Sequence, residues 1–217
     1  MGQAIAESVR RRPDLELVGV WQRGQDIDGL VVAADVVIDF SLPEGTLRVV
    51  DAVVRHNKPL VCGVSGLDEQ QLLLLRTAAA QIPLVFDRNM SLGIAVLERS
   101  VRAAAASLGP GFEVEVFETH HIHKKDAPSG TALNLAEAIA SSRGESGTGV
   151  IRFRVERRGE VPGDHQVTMS SDTEKLTFAH SVTTRQVFVE GALRASEWVV
   201  DKAPGCYSMQ DVLLSHP

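Results

Sequence analysis

The chain holds two cysteines in 217 residues, a single tyrosine, few aromatics and no surplus of basic charge. Cys62 and Cys206 show no metal-type spacing and form no disulfide framework, so a reducing, cytoplasmic setting is expected. The formal charge of −6 argues against nucleic acid as the main partner, because phosphate binding needs an excess of Lys and Arg. No apolar run approaches the roughly 18 residues that span a bilayer. No secretory signal pattern is visible either, so no membrane partner is expected. With 44% apolar and 23% charged residues, the composition is that of a folded globular protein and not of a disordered one. Its length suits one large domain or two small ones.

What is present changes character part-way along. In the first half, short β-rich runs alternate with longer helical patterns. LELVGVW (Leu15 to Trp21), DVVIDF (Asp35 to Phe40), PLVCGV (Pro59 to Val64) and PLVFD (Pro83 to Asp87) read as strands buried on both faces, being dense in Val, Ile and Leu. Between them, PEGTLRVVDAVVRHN begins with a proline suited to a first helical turn and spaces Leu47, Val50, Val53 and Val54 at helical intervals. LDEQQLLLLRTAAAQ is a second helix, with acids early and an arginine late. This alternation predicts a doubly wound, Rossmann-type α/β domain with a parallel sheet. Ligands of such sheets sit past the carboxyl ends of the strands. Here those positions are Gln22 and Arg23, Ser41 to Glu44, Gly63 to Gly66, and Arg88 to Met90.

The opening MGQAIAESVRRR already reads as helix, where a doubly wound domain should begin with a strand and a glycine-rich turn. The expectation is that this strand and most of the turn are missing, by truncation or because something else fills the place, and that the sheet lacks its central strand.

After Asn89 a long helix, about Leu92 to Leu108, leads through Gly-Pro-Gly into FEVEVFET, which alternates apolar and acidic residues like a strand with one solvated face. TALNLAEAIASSR carries Leu135, Ala136, Ile139 and Ala140 along one helical stripe. VIRFRVER, HQVTMSS and KLTFAHSV read as strands, giving an α+β unit with an open mixed or antiparallel sheet. A helix from about Arg185 to Val200 and the tail SMQDVLL complete the chain.

Within this second half lies ETHHIHKKDAPSGTAL, Glu118 to Leu133, with three histidines and two lysines in six residues. A metal site could use His121 and His123, which share a face in an extended segment, with Glu118 or Asp126 as third ligand. Lys124 and Lys125 would then stand beside a dication, which Coulomb repulsion disfavours. A solvated surface loop is the plain alternative. An anion site with a proton donor accounts for every residue type present. Pro128 biases Ala127 away from helix, Ser129 can cap the next helix, Gly130 admits a ligand to the backbone and Thr131 adds a hydroxyl. Histidine and lysine supply cationic donors and exchangeable protons. No metal is expected.

ETHHIHKKDAPSGTA closely resembles the signature of the dihydrodipicolinate reductase family. VIDFSLPEGT, CGVSG, NMSLGI, SVTTRQVFVEGALRAS and YSMQDVL resemble further segments of that family, and MGQAI looks like the end of its phosphate turn. The resemblance implies NAD(P)H-dependent reduction of 4-hydroxy-tetrahydrodipicolinate on the diaminopimelate route to lysine, in a cytoplasmic homotetramer. It implies a dinucleotide-binding domain over 1–90 and 186–217, and a substrate and oligomerisation domain over 91–185. By matching position, His120 would be the catalytic acid/base and Lys124 the proton donor, while His121, Gly130, Thr131 and Arg185 would hold the substrate carboxylates. Phe40, Ser41, Gly63, Val64, Ser65, Arg88, Asn89 and Met90 would contact the cofactor. Where relatives often carry an acid after the second strand, Gln22 and Arg23 stand here, which points to NADPH over NADH, since a carboxylate would repel a 2′-phosphate. A rival is a non-catalytic relative that binds a dicarboxylate with an incomplete nucleotide site. A metal-dependent hydrolase is disfavoured by the lysines.

Overall fold

Short Val- and Leu-rich runs pair side by side into one parallel sheet. The structure, a computed structural model, describes residues 1–214. Strands β1 (Val37–Asp39), β2 (Leu60–Cys62), β3 (Pro83–Phe86) and β8 (Gly205–Tyr207) lie in the order β1-β2-β3-β8, all parallel. Helices α1 (Gly2–Arg10), α2 (Asp28–Ala33), α3 (Pro43–Arg55), α4 (Glu69–Ala79), α7 (Gln186–Val199) and α8 (Met209–Leu214) belong to the same unit. Side chains alternate across each strand, so the sheet builds two cores. Leu60, Cys62 and Leu84 pack with Val49, Val53, Leu75 and Ala78 of α3 and α4. Ile38 and Phe40 pack with Ile5, Val9, Val189 and Leu193 of α1 and α7.

Local signals hold the helices in place. Pro43 occupies the first turn of α3, where its missing N–H costs nothing. Asp68 and Gln71 form a reciprocal capping box at α4, a motif in which the cap alone stabilises a helix by about 1 kcal/mol. Gly191 sits in α7 directly against the main chain of Met90, where a Cβ would come within 1.7 Å of the carbonyl oxygen. Only glycine permits that approach.

The second unit, Leu92–Arg185, is built on a mixed sheet. It contains α5 (Leu92–Leu108), β4 (Glu113–His120), α6 (Gly130–Ser142), β5 (Ile151–Arg157), β6 (Asp164–Ser170) and β7 (Lys175–His180). The order is β5-β4-β6-β7, with β4 parallel to β5 and the other pairs antiparallel. Val114, Val116, Val167 and Met169 bury against Leu97 and Val101 of α5 and against Leu135, Ala136 and Ile139 of α6.

Two expectations are corrected. Leu15 to Trp21 is not a strand: it has no ladder partner among the described residues, and a β-rich composition without a neighbour to pair with does not make a strand. Its Leu15 and Leu17 instead join the α1–α7 core. In α3 the inward stripe is Thr46, Val49, Val50, Ala52 and Val53, while Leu47 is 44% exposed, because the helix is rotated relative to the assumed stripe. Strand β8 and helix α2 carried too few residues for a periodic signal and are recognised only by their neighbours.

Candidate active site

In the first unit, the carboxyl ends of β1, β2 and β3 gather the residues expected to meet a dinucleotide. The buried carboxylate of Asp39, at the end of β1, accepts from the Ser41 amide at 2.8 Å and from the Thr46 hydroxyl at 2.8 Å. It thereby fixes the turn into α3, a role the sequence reading missed although the acid sits at the end of an apolar strand. Next to it the Phe40 ring lies against Gly63, so close that a Cβ there would fall 2.4 Å from the ring. Ser41, Ser65 and Arg88 are exposed around this point. Val64 and Met90 are each 2% exposed, so neither presents its side chain to a ligand. Asn89 takes part in a turn, its amide bonded to Asp87 Oδ1 and its own side-chain oxygen accepting from the Ser91 amide. Gln22 and the exposed Arg23 belong to a separate turn closed by the Gln25 amide on the Gln22 carbonyl. An aromatic face, hydroxyls, a cation and a glycine cradle that a Cβ would fill are compatible with the ring and phosphate parts of a dinucleotide.

In the second unit, β4 delivers its last residues into a polar centre. Along this strand Val114, Val116, Glu118 and His120 face inward, as period two requires. The inward Glu118 is 1% exposed, and it is the middle of the site. Its Oε1 accepts from the Ser129 amide at 3.0 Å and from Arg157 Nη2 at 3.3 Å. Its Oε2 lies 3.1 Å from His120 Nδ1 and 3.8 Å from His165 Nε2. Burial alone would raise the Glu118 pKa, but the contacts with His120 and Ser129 outweigh it and hold the carboxyl at about 2. Burial first, then the adjacent His120, push the His165 imidazole down to about 3 against the opposing pull of Glu118. His165 is therefore neutral, and its ring meets that of His120 edge-on at 5.1 Å.

The loop that follows β4 is tied down from behind. Arg157, at the end of β5, donates to the carbonyl oxygens of Lys124 and Asp126. The Lys124 ammonium bonds both oxygens of Asp126, at 2.7 and 2.8 Å. The Ala127–Pro128 peptide is cis. Ser129 caps α6, its hydroxyl accepting from the Ala132 amide and lying 3.2 Å from His165 Nε2. Gly130 and Thr131 open the first turn of α6, Thr131 being 8% exposed. His121 sits at the rim, where Arg185 Nη2 comes within 3.4 Å of its Nε2. Burial and then the Arg185 charge lower the His121 pKa from its ordinary value.

The metal alternative looks different in three dimensions. His123 is exposed and pairs with Glu160 at 3.3 Å, its ring 6.0 Å from that of His121. The donors that do gather, among the described residues, are Glu118, His120 and His165, all within 4.8 Å of one another. Arg157 already balances that carboxylate, and a dication there would face its charge in a buried site. Arg157, His165 and Gly163 were not singled out from sequence, and Glu118 entered there only as a possible metal ligand. Glu118 was legible, since the Val114–Val116 alternation continues onto it.

Two family profiles cover nearly the whole chain: dihydrodipicolinate reductase, amino terminus, over residues 1–90, and dihydrodipicolinate reductase, carboxyl terminus, over 93–213. This chain belongs to the dihydrodipicolinate reductase family. Relatives named 4-hydroxy-tetrahydrodipicolinate reductase include one from Xanthomonas campestris, 45% identical over 97% of this chain and 86% of that one. Another, from Zymomonas mobilis, is 39% identical over 98% and 92%. The family's members are NAD(P)H-dependent oxidoreductases of the diaminopimelate route to lysine. The fold agrees: a dipicolinate-bound dihydrodipicolinate reductase from Paenisporosarcina superposes with a TM-score of 0.76 at 22% identity, covering 97% of this chain and 94% of that one. A diaminopimelate dehydrogenase from C. glutamicum shares the fold more distantly, with a TM-score of 0.58 at 10% identity, over 99% and 92% of the two chains. No helix among the described residues is long and apolar enough to cross a membrane.

Proposed function

We propose that the dihydrodipicolinate reductase reaction of this chain is carried by His120 and Lys124, on a cyclic dicarboxylate held by His121, Gly130, Thr131 and Arg185. A single observation supports this most: Arg185 and His121, 64 positions apart, come within 3.4 Å at the start of the histidine–lysine loop. A guanidinium beside an imidazole, near helix amides, suits a carboxylate that accepts from several donors at once. The main-chain amides of Gly130 and Thr131 would take one carboxylate, and Arg185 with His121 the other.

Bound NAD(P)H supplies the hydride. The residues expected to hold it are Phe40, Ser41, Gly63, Val64, Ser65, Arg88, Asn89 and Met90, with Gln22 and Arg23 at the adenosine end. Arg23, with no acid at its side in the Gln22–Gln25 turn, favours the 2′-phosphate of NADPH over NADH. As negative charge develops in the reduced ring, a proton from Lys124 or His120 meets it. Asp126 fixes the position of the Lys124 ammonium through hydrogen bonds at 2.7 and 2.8 Å. The oligomer expected is a homotetramer, and the sheet face bearing Glu115, Phe117, Arg152 and Arg154, turned away from the apolar core, is the surface it would use.

The decisive experiment follows NADPH oxidation by absorbance with freshly prepared 4-hydroxy-tetrahydrodipicolinate. Lys124→Ala should lower kcat by about 100-fold or more while the NADPH dissociation constant stays near wild type. Equal losses in turnover and cofactor binding would contradict the proton-donor role. Arg185→Ala should weaken binding of pyridine-2,6-dicarboxylate by about 10-fold or more, the scale of a charge-assisted hydrogen bond. Unchanged affinity would remove Arg185 from the substrate site.

A further inference from the structure

The residue roles above leave one buried charge without a function. We infer that Glu118 is the positioning residue for His120, fixing its imidazole with the proton on Nδ1 and presenting Nε2 on the side lined by Gly163. This rests on His120 being the acid/base, and goes beyond it by assigning the tautomer and the residue that sets it.

The strand makes the pair. Residues two apart on β4 share a face, so Glu118 and His120 enter the same buried centre. The two carboxylate oxygens then do different work. Oε1 is saturated by two donors, the Ser129 amide and Arg157. Oε2 and His120 Nδ1 lie 3.1 Å apart, short of hydrogen-bond angle in this structure, and neither has any other hydrogen-bond partner, so a small turn of the imidazole pairs the two. An ionised carboxylate can only accept. The nitrogen that faces it must therefore carry the hydrogen, and a neutral imidazole with Nδ1–H has its lone pair on Nε2.

The surroundings restrict the ring further. His165, from β6, meets it edge-on at an interplanar angle of 78°. A Cβ at Gly163 would lie 2.9 Å from Nε2 and 3.7 Å from the His165 ring, so the absence of a side chain keeps the space beside that nitrogen open. The charged or titratable groups around the pair include Arg157 from β5, His165 from β6, His180 from β7 beyond it, and His121 and Lys124 from the loop after β4. Arg157 occupies the oxygen that His120 does not face.

A glutamine at this position gives the test its sign. Ser129 N–H and Arg157 both donate to the Oε1 position, so the amide oxygen of Glu118→Gln must stay there. Its NH2 then turns toward the imidazoles and donates to His120 Nδ1, which forces the proton onto Nε2. The experiment is long-range proton–nitrogen NMR on the full chain labelled at histidine, at about pH 9 where imidazole is neutral. His120 is assigned by its disappearance in His120→Gln. Wild type should show the Nδ1–H tautomer and Glu118→Gln the Nε2–H tautomer. Turnover of Glu118→Gln should fall about 100-fold or more with little change in KM, and Glu118→Asp should recover part of it. An Nε2–H tautomer in wild type would overturn the inference, as would an unchanged tautomer in Glu118→Gln. If that variant does not fold, the wild-type spectrum alone decides. Full activity in His120→Gln would sink the acid/base role and leave the tautomer result to be judged separately.

Discussion

Arg157 donates from Nε to the carbonyl oxygen of Lys124, 33 positions earlier, at 3.2 Å. The same side chain reaches Glu118 and the Asp126 carbonyl. One guanidinium thus links the buried carboxylate to the backbone of the loop that carries the proton donor. Arg157→Leu should leave Glu118 charged and half-partnered. Breaking a buried pair costs about 3 kcal/mol at the lower end of its range, which is the appropriate end for an arginine that is 20% exposed. Urea unfolding should show a lower midpoint. Limited proteolysis should cut first between Ile122 and Ala127, and protection of that loop equal to wild type would remove the clamp role.

Gly163 has φ +152°, a conformation side chains rarely adopt, and sits against His120 Nε2. Gly163→Ala should therefore press on the imidazole from the face expected to meet substrate. We expect kcat to fall at least about 10-fold, the scale of a small displacement of a catalytic group, with a loss of stability of about 1–3 kcal/mol from the strained backbone. Wild-type turnover in a folded Gly163→Ala protein would show that this face of His120 is not used.

For Gly191 the usual helix rule reverses sign. Alanine in a helix interior is normally better than glycine by about 1 kcal/mol. Here the added Cβ would stand 1.7 Å from the Met90 carbonyl oxygen, which is backbone and cannot rotate aside. Gly191→Ala should destabilise the first unit by about 3 kcal/mol, the upper part of the overpacking range. Thermal unfolding monitored by circular dichroism checks it; a raised Tm would be incompatible with this packing.

Stability should fall with pH in a defined window. His165 has a folded-state pKa of about 3 against an ordinary 6.5, so the unfolded chain binds its proton first as pH drops. The stabilisation is complete above pH 6.5 and is lost progressively down to pH 3. Glu118, at about 2 against an ordinary 4.5, adds a second loss in the same direction below pH 4.5. Together they amount to something on the order of a few kcal/mol. Urea unfolding should show wild-type stability declining from about pH 6.5 to 4.5, with a shallower decline in His165→Gln. A wild-type stability that does not change across that interval would contradict a buried, neutral His165.

Much of this protein is written locally. The proline at the first turn of α3, the Asp68–Gln71 box, the 3.6-residue stripe of α6 and the Val114–Val116 alternation act over a few neighbours, and local physics reads them directly. The histidine–lysine loop ahead of a Ser-capped helix was legible for the same reason. Leu15–Trp21 shows the limit: its composition favours a strand, but a strand exists only where another backbone pairs with it. Strand β8 is the converse, three residues with no periodic signal that become a strand by lying beside β3. Arg185 beside His121, Arg157 behind Lys124 and His165 against Glu118 are contacts between residues far apart in the chain. Sequence determined which chemical groups were available and which face of each element they occupied; the tertiary structure alone decided which of them meet, because burial and charge act through space and not along the chain.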